Sequence, residues 1–515
     1  MNKHTYVSFP AEIVIGKDVL ELVSSAMYID PLTIYREYIQ NAADSIDAAR
    51  IAGVLDPDNV GRVDITFDLN HTTRSVKIRD NGLGVPNGDF AKRLTAIGGS
   101  RKRGTSARGF RGIGRLAGLG YCQELIFRSR SVGDSVVHEL RWDCRVFKKL
   151  MSDATYQGSL HDLIQAVAQV IEIDPKGWPE HFYEVELVKP VRIGKDVLMN
   201  RETIAKYLSR VAPVPFSPEF TFGAQIREHL VQHLGEMGEI QIHIDGAEEP
   251  VYRPYRNDFA YGEGRRDKFN DFKPIIIEGR DGGVGAVGWL LHHSYFGAIP
   301  SAEGIHGLRA RKGNIQVGDH RIFADVFPEP RFASWTVGEI HVLEPRVVPN
   351  GRRDEFEQNV HHDHLISRLR ETGDLIGRMC RSSSVVRNRI KVFDIGALKV
   401  EEQLKILEQG AVNGSTAEAI VEEIRSEMFE IKRVTEASVL AETDRTGLTQ
   451  RYSQLEERLT KTSATSFGGT DALGALPEGE RAIVQRMISL IYECSANRVA
   501  AKSLVDRILA RLGES

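Results

Sequence analysis

Cysteine is scarce: Cys122, Cys144, Cys380 and Cys494 are spread over 515 residues with no Cys-x-x-Cys. That spacing suits a reducing compartment, excludes a disulfide scaffold and offers no zinc site. Long hydrophobic runs are missing too. The best membrane candidate, Val284 to Pro300, is interrupted by Gly288, His292, His293 and Ser294 and is too short and polar to span a bilayer. The opening stretch MNKHTYVSFPAEIVIGKDVL lacks an apolar core followed by a small-residue cleavage site, so no signal peptide is expected and the expected location is the cytoplasm. Nor does one sign of charge dominate. Lys+Arg 67 against Asp+Glu 71 gives a formal charge of -4, so the chain as a whole is no polycation built for nucleic acid. With 41% hydrophobic and 27% charged residues the composition is that of soluble globular protein, which excludes global disorder and collagen. The length exceeds what one hydrophobic core serves, so about two to four domains are expected.

Residues 1 to 215 mix helical and strand patterns and hold most of the glycine-rich sequence. From 216 to about 360 the runs EIQIHI, KPIIIEG, GNIQVG and TVGEIHVL are strand-like. Beyond that the pattern is helical: Val421, Ile424, Met428 and Ile431 step by three and four, as do Leu448, Tyr452, Leu455 and Leu459. The expected divisions are therefore 1–215, 216–364 and 365–515, the last interrupted by a flexible linker at 463–480, SATSFGGTDALGALPEGE. The expected class is α+β.

Three motifs carry chemistry. In DPLTIYREYIQNAADSIDAAR, Asp30 can cap a helix and Pro31 fits its first turn. On that helix Glu37, Asn41 and Asp44 are spaced i, i+4, i+7 and share a face. A carboxylate able to polarise water, one turn from an amide oxygen able to ligate Mg²⁺, is what metal-assisted hydrolysis requires, although a solvated polar stripe has the same spacing. In RSVKIRDNGLGV a strand pattern ends at Asp80-Asn81-Gly82. Asn-Gly is a hairpin signal; the alternative is that Asp80 accepts the amino group of adenine while Gly82 and Gly84 let the backbone approach the base. The third motif, IGGSRKRGTSARGFRGIGRLAGLGYCQEL, has eight glycines between Gly98 and Gly120, with Gly109, Gly112 and Gly114 in G-x-x-G-x-G spacing. Phe90 to Gln123 contains no acid but eight Lys and Arg residues, so a polyanion is the natural guest. Free backbone N–H groups and a following helix start would hold its phosphates.

In this order and spacing the motifs resemble the Bergerat-fold ATPases, the GHKL superfamily, and among them the heat-shock chaperones called HtpG in bacteria. FPAEIVIGKDVLELVSSAMYIDPLTIYREYIQNAADSIDAAR looks like that family's first strand and two helices. The resemblance implies a Bergerat α/β sandwich binding ATP and Mg²⁺, then an α/β transducer-like middle domain and a helical C-terminal region. It implies Glu37 as general base, Asn41 as Mg²⁺ ligand, Asp44 as a supporting residue and Asp80 as the adenine reader. Gly82, Gly84, Gly109, Gly112 and Gly114 become nucleotide contacts, joined by Ser100, Lys102, Arg111 and Ile113 of the lid and loop. The family's Gly-Thr near adenine is missing from the corresponding HFYEVELV, from His181, so Thr95 or a water is expected to replace it. Downstream, RFASWTVGEIHVLEPRVVPNGRRDEFEQN resembles the stretch supplying a catalytic arginine, placing that role on Arg353, with Arg352 as competitor.

The function implied is an ATP-hydrolysing clamp: a homodimer whose N-terminal halves associate on ATP and which acts on protein clients, away from membranes. A nucleic-acid-associated ATPase like the MORC or MutL branches, or a nucleotide-dependent regulatory or defence ATPase, is the alternative, because the resemblance stops near residue 360.

Overall fold

The computed structural model describes residues 30–56, 60–97, 108, 112–262, 264–408, 414–466, 473, 476–495 and 498–513. The expected first strand and first helix lie outside them. The chain forms two compact units, Met1–Gly377 and Arg378–Ser515.

The spine of the first unit is α1, Thr33–Ile51. Ile34, Tyr35, Tyr38, Ile39, Ala42, Ala43, Ile46 and Ala49 are buried at helical spacing, and the three alanines let the helix sit close on a sheet. Its start differs from expectation. Asp30 Oδ1 accepts the Leu32 amide at 3.0 Å and the Asp30 carbonyl accepts Thr33 N at 3.0 Å, so Asp30 closes a turn and the α-helix begins at Thr33.

The sheet under α1 has seven strands: β1 Arg62–Asp68, β2 Ser75–Asp80, β3 Glu124–Arg130, β4 Val137–Asp143, β5 Ala168–Ile173, β6 Phe182–Val188 and β7 Gln241–Ile244. Their order is β5-β4-β3-β6-β2-β1-β7, antiparallel except for β1 with β7. Side chains alternate between faces. Ile65, Ile78, Val185, Phe127 and Leu140 pair in one row across five strands and are all buried. The other face carries ions: Arg128 meets Glu139 at 2.6 Å, Glu184 at 2.8 Å and Glu186 at 2.6 Å, beneath the ring of Trp178. The run EIQIHI, which reads like the strands after residue 216, supplies β7 to this first sheet. A parallel pair needs a long crossover, and residues 69–240 provide it.

Helices α2 Asn87–Thr95, α3 Cys144–Ser152, α4 Leu160–Val167, α5 Arg201–Val211 and α6 Gly223–Leu234 follow in chain order. The second sheet has the order β10-β11-β14-β12-β13, comprising Asp271–Glu278, Val284–His292, Val337–Val342, Gly307–Lys312 and Ile315–Val317, beside a hairpin of β8 Asp258–Gly262 and β9 Arg265–Lys268. Its core packs Val287, Trp289, Leu291 and Val337 with Ile226 and Leu230 of α6.

One buried ionic network ties the second sheet to α5 and the segment that follows it. Glu339 on β14 is fully buried and is met by Arg253, by Arg311 Nε at 2.8 Å and by the Tyr255 hydroxyl at 3.0 Å. Arg253 Nε also donates to the Val214 carbonyl at 2.9 Å, and Arg311 Nη2 to the Arg210 carbonyl at 2.8 Å. Burial alone would push the Glu339 carboxyl up, but Arg253 and Arg311, with His341, outweigh it and hold it well below the usual range. A depressed folded pKa contributes stability that is present above the unfolded value and lost as pH falls through the folded one. Replacing Glu339 by Gln leaves two buried guanidiniums uncompensated, so the expected cost is about 3–5 kcal/mol. Urea denaturation followed by tryptophan fluorescence should read it at neutral pH, with the gap to the parent shrinking as acid protonates Glu339.

The C-terminal region consists of α7 Val360–Glu408, α8 Gly414–Thr435, α9 Glu442–Ser466, α10 Glu478–Cys494 and α11 Arg498–Gly513. Asn359 Oδ1 caps α7 by accepting from the amides of His361 and His362. Within the second unit Phe393, Ala397, Val400 and Leu404 pack with Ile420, Ile424, Met428 and Ile431 and with Leu448 and Leu455. The expected linker is shorter than 463–480: α9 runs on to Ser466, where no helix breaker precedes Gly468, and α10 begins at Glu478 after Pro477. Among the described residues, no helix is long and apolar enough to cross a membrane.

Candidate active site

Glu37, Asn41 and Asp44 lie on one side of α1, with Glu37 and Asp44 buried and Asn41 partly so. Tyr38 locks the next element onto this helix. Its hydroxyl accepts the Gly118 amide at 3.0 Å and donates to the Arg115 carbonyl at 3.3 Å, both in the 3₁₀ helix Gly114–Gly120. The helix expected after the glycine-rich loop is thus a 3₁₀ helix. At its first residue, a Cβ on Gly114 would stand 2.2 Å from Glu37 Oε2. Only a glycine allows that approach. Gly114→Ala should therefore swing the carboxylate away; an ångström of misplacement costs roughly 10²-fold in rate. Phosphate release by the full chain would measure it, with unchanged melting as the control.

Asp80 ends β2 on the core face, and its Oδ1 accepts the Gly82 amide at 2.9 Å. No hairpin follows Asn81-Gly82, because the next element is α2. The turn instead lies against α1, where the Ser45 carbonyl accepts Leu83 N at 3.2 Å. Gly84 has φ +73, and a Cβ there would meet the Arg130 carbonyl at 2.2 Å. Asp80 begins a polar row that crosses the sheet: Tyr183 on β6, Ser129 on β3 and His138 on β4 pair with it in register. The adjoining row is wholly apolar, so this end of the core is distinct. Ser129 Oγ accepts Val85 N at 2.7 Å and donates to the Phe182 carbonyl at 3.1 Å. His181 Nδ1 lies 2.8 Å from the Gly82 carbonyl, to which it donates. Burial pushes the Tyr183 phenol up, with Arg115 opposing and Asp80 reinforcing. Tyr183 stands directly across from Asp80 on the neighbouring strand. Thr95, the expected substitute, ends α2 and donates to its own helix at the Ala91 carbonyl, 2.8 Å.

Asp44 has a specific partner. Arg108 N donates to Asp44 Oδ1 at 2.9 Å, and its guanidinium reaches Asp47 at 2.6 Å and the Gly313 carbonyl at 2.6 Å in the β12–β13 turn. This arginine joins α1 to the second sheet, which its place among eight basic residues did not signal. Arg353 is buried with φ +58 and donates to the Arg108 carbonyl, whereas Arg352 is exposed. Arg36, also buried, pairs with Glu37 at 3.2 Å and donates to the Arg352 carbonyl at 2.8 Å. Gly112, with φ +70, and Ile113 lead into Gly114. Ser100, Lys102, Gly109 and Arg111, and the lid apart from Arg108, lie outside the described residues.

The donor set fits Mg²⁺ only with help. Among the described residues no group of three or more His, Cys, Asp or Glu could hold a metal, and Asp44 is engaged by Arg108. Asn41 offers one amide oxygen, so the remaining ligands would be phosphate oxygens and water, as Mg²⁺ commonly accepts.

Residues 33–169 match the family described as histidine kinase-, DNA gyrase B-, and HSP90-like ATPase. Chaperone protein HtpG of Verminephrobacter eiseniae is 27% identical over 157 residues, 28% of this chain and 23% of the relative. The HtpG of Polaromonas naphthalenivorans is 28% identical over 159 residues, 28% of this chain and 24% of the relative. That of Burkholderia ambifaria is 24% identical over 155 residues, 27% and 24%. Each match spans about a quarter of the relative's length. With the fold and the glycine-rich site they make residues 33–169 a GHKL-type ATPase domain, near that of the HtpG chaperones.

Proposed function

We propose that the chain is an ATP-hydrolysing conformational clamp of the HtpG-like type, built from a nucleotide domain over 1–215 completed by β7, a middle domain to 364 and a dimerising helical region over 365–515. The observation that carries this is the arginine loop resting on α1: Arg36 bridges Glu37 to the Arg352 backbone, and Arg353 reaches the glycine-rich segment at Arg108.

In this reading Asp80 accepts the adenine amino group, the peptide groups at Gly112 and Gly114 face phosphates, and Glu37 takes the proton of the attacking water. Arg36 fixes the Glu37 carboxylate. Arg353 exchanges the Arg108 carbonyl for the γ-phosphate and stabilises the charge that builds in the transition state. When bound, Mg²⁺ neutralises β- and γ-phosphate charge, with Asn41 as its protein ligand. Dimerisation finds support in α7, where Val385, Val392, Ile395 and Leu398 are exposed in the second unit. Full-length protein is expected to be dimeric by light scattering without nucleotide, and a monomer would reject the constitutive contact. Pull-down with an ATP-loaded Glu37→Ala chain should recover proteins. Recovery of nucleic acid would favour the MORC- or MutL-like alternative.

A further inference from the structure

The first unit contains a recess of about 1020 Å³ whose wall includes Arg36 and Arg353 but neither Glu37 nor Asp80. Among the basic side chains on its wall are Arg210 in α5, His306 just before β12, Arg309 in β12 and His320 after β13. Arg309 is 3% exposed, yet its guanidinium donates only to neutral acceptors: Gln316 Oε1 at 3.0 Å and the carbonyls of Gly304 at 2.8 Å and His306 at 3.2 Å. Its Nε has no partner. Arg210 Nε donates to the Lys206 carbonyl at 3.0 Å, and among the described residues no carboxylate pairs with either guanidinium. His306 is 7% exposed with Nδ1 unpartnered, and its ring stands edge to face with His320 at 4.3 Å.

Five carboxylates line the wall: Asp319 pairs with Arg321, Asp354 accepts from Asn350, Asp30 accepts the Leu32 amide, and Asp325 and Glu355 are exposed. Burial, then His320, Arg309 and Arg210, push the His306 pKa down to about 4, with Asp319 opposing. Six arginines and three histidines line the recess against five carboxylates, so basic side chains are in excess. An uncompensated buried guanidinium is costly, and an anion removes that cost.

We propose that this recess binds a small phosphorylated ligand, with its phosphate group seated among Arg210, His306, Arg309 and His320. Two guanidiniums and two imidazoles offer more donors than a carboxylate's two oxygens can use, whereas a phosphate monoester brings three terminal oxygens and close to two charges. A phosphate alone would fill little of the volume, so the ligand carries an organic part.

Calorimetry on the full chain with ADP saturating the nucleotide site tests this, using inorganic phosphate and ribose 5-phosphate as probes and ribose as the uncharged control. The expected result is saturable binding of both phosphates and none of ribose, weakened tenfold or more in Arg210→Gln and in His320→Gln. Both substituted side chains are only partly buried, and unchanged melting would confirm folding. Three outcomes would overturn the proposal: no saturable heat from either phosphate, both variants binding like the parent, or binding that disappears when ADP is added.

Discussion

Glu37→Ala is expected to lower phosphate release from ATP by roughly 10²- to 10⁴-fold, the usual contribution of a positioned general base, while leaving ATP binding close to the parent's. Glu37 is buried, paired with Arg36 and closely approached by Gly114, so its carboxylate is held in one place beside the glycine-rich segment. Asp80→Asn should do the opposite. An amide cannot replace a charged acceptor for the adenine amino group and for the Gly82 amide, so nucleotide affinity should fall roughly tenfold to a hundredfold. Calorimetry separates the two, and equal ATP binding by both variants would remove Asp80 from the base pocket.

Arg353→Ala is expected to reduce hydrolysis by about 10³-fold with nucleotide affinity little changed, since a cation acting on the γ-phosphate matters most in the transition state. Arg352→Ala should change the rate only a few-fold. The Arg352 side chain is exposed, and what it gives the site is a backbone carbonyl to Arg36, which alanine retains. Single-turnover rates of the two variants decide between them. If Arg352→Ala is the more damaging, the competing assignment is right. The comparison is better made in the full chain than in a fragment ending at residue 215, because that cut removes β7 and also Arg253 and Arg311, which bond to the Val214 and Arg210 carbonyls.

The near-range features of the site were legible because they are periodic or conformational. The i, i+4, i+7 spacing of Glu37, Asn41 and Asp44 puts them on one side of any helix. Alternation in SVKIRD puts Asp80 on the same face as Val76 and Ile78, and the glycines mark where backbone must come close. The apolar steps of α8 and α9 likewise read correctly as helices, whose seams the structure buries in the second unit's own core. Where local reading went astray, a neighbour decided the outcome. Asp30 was spent on a turn, Asn81-Gly82 was drawn onto α1 instead of folding a hairpin, and Ser463–Ser466 stayed helical.

The sequence by itself determined which side chains share a face: Glu37, Asn41 and Asp44 on a helix, and Asp80 with Val76 and Ile78 on a strand. Only the tertiary structure decided what surrounds them. Arg36 and Arg352 are 316 residues apart, Arg108 and Gly313 are 205 apart, and β7 pairs with a strand far upstream. The row Asp80–Tyr183–Ser129–His138 exists only once four strands are in register. The physical reason is that periodicity encodes which face a residue occupies, whereas contacts across long loops depend on how whole faces pack. No short window of sequence contains that information.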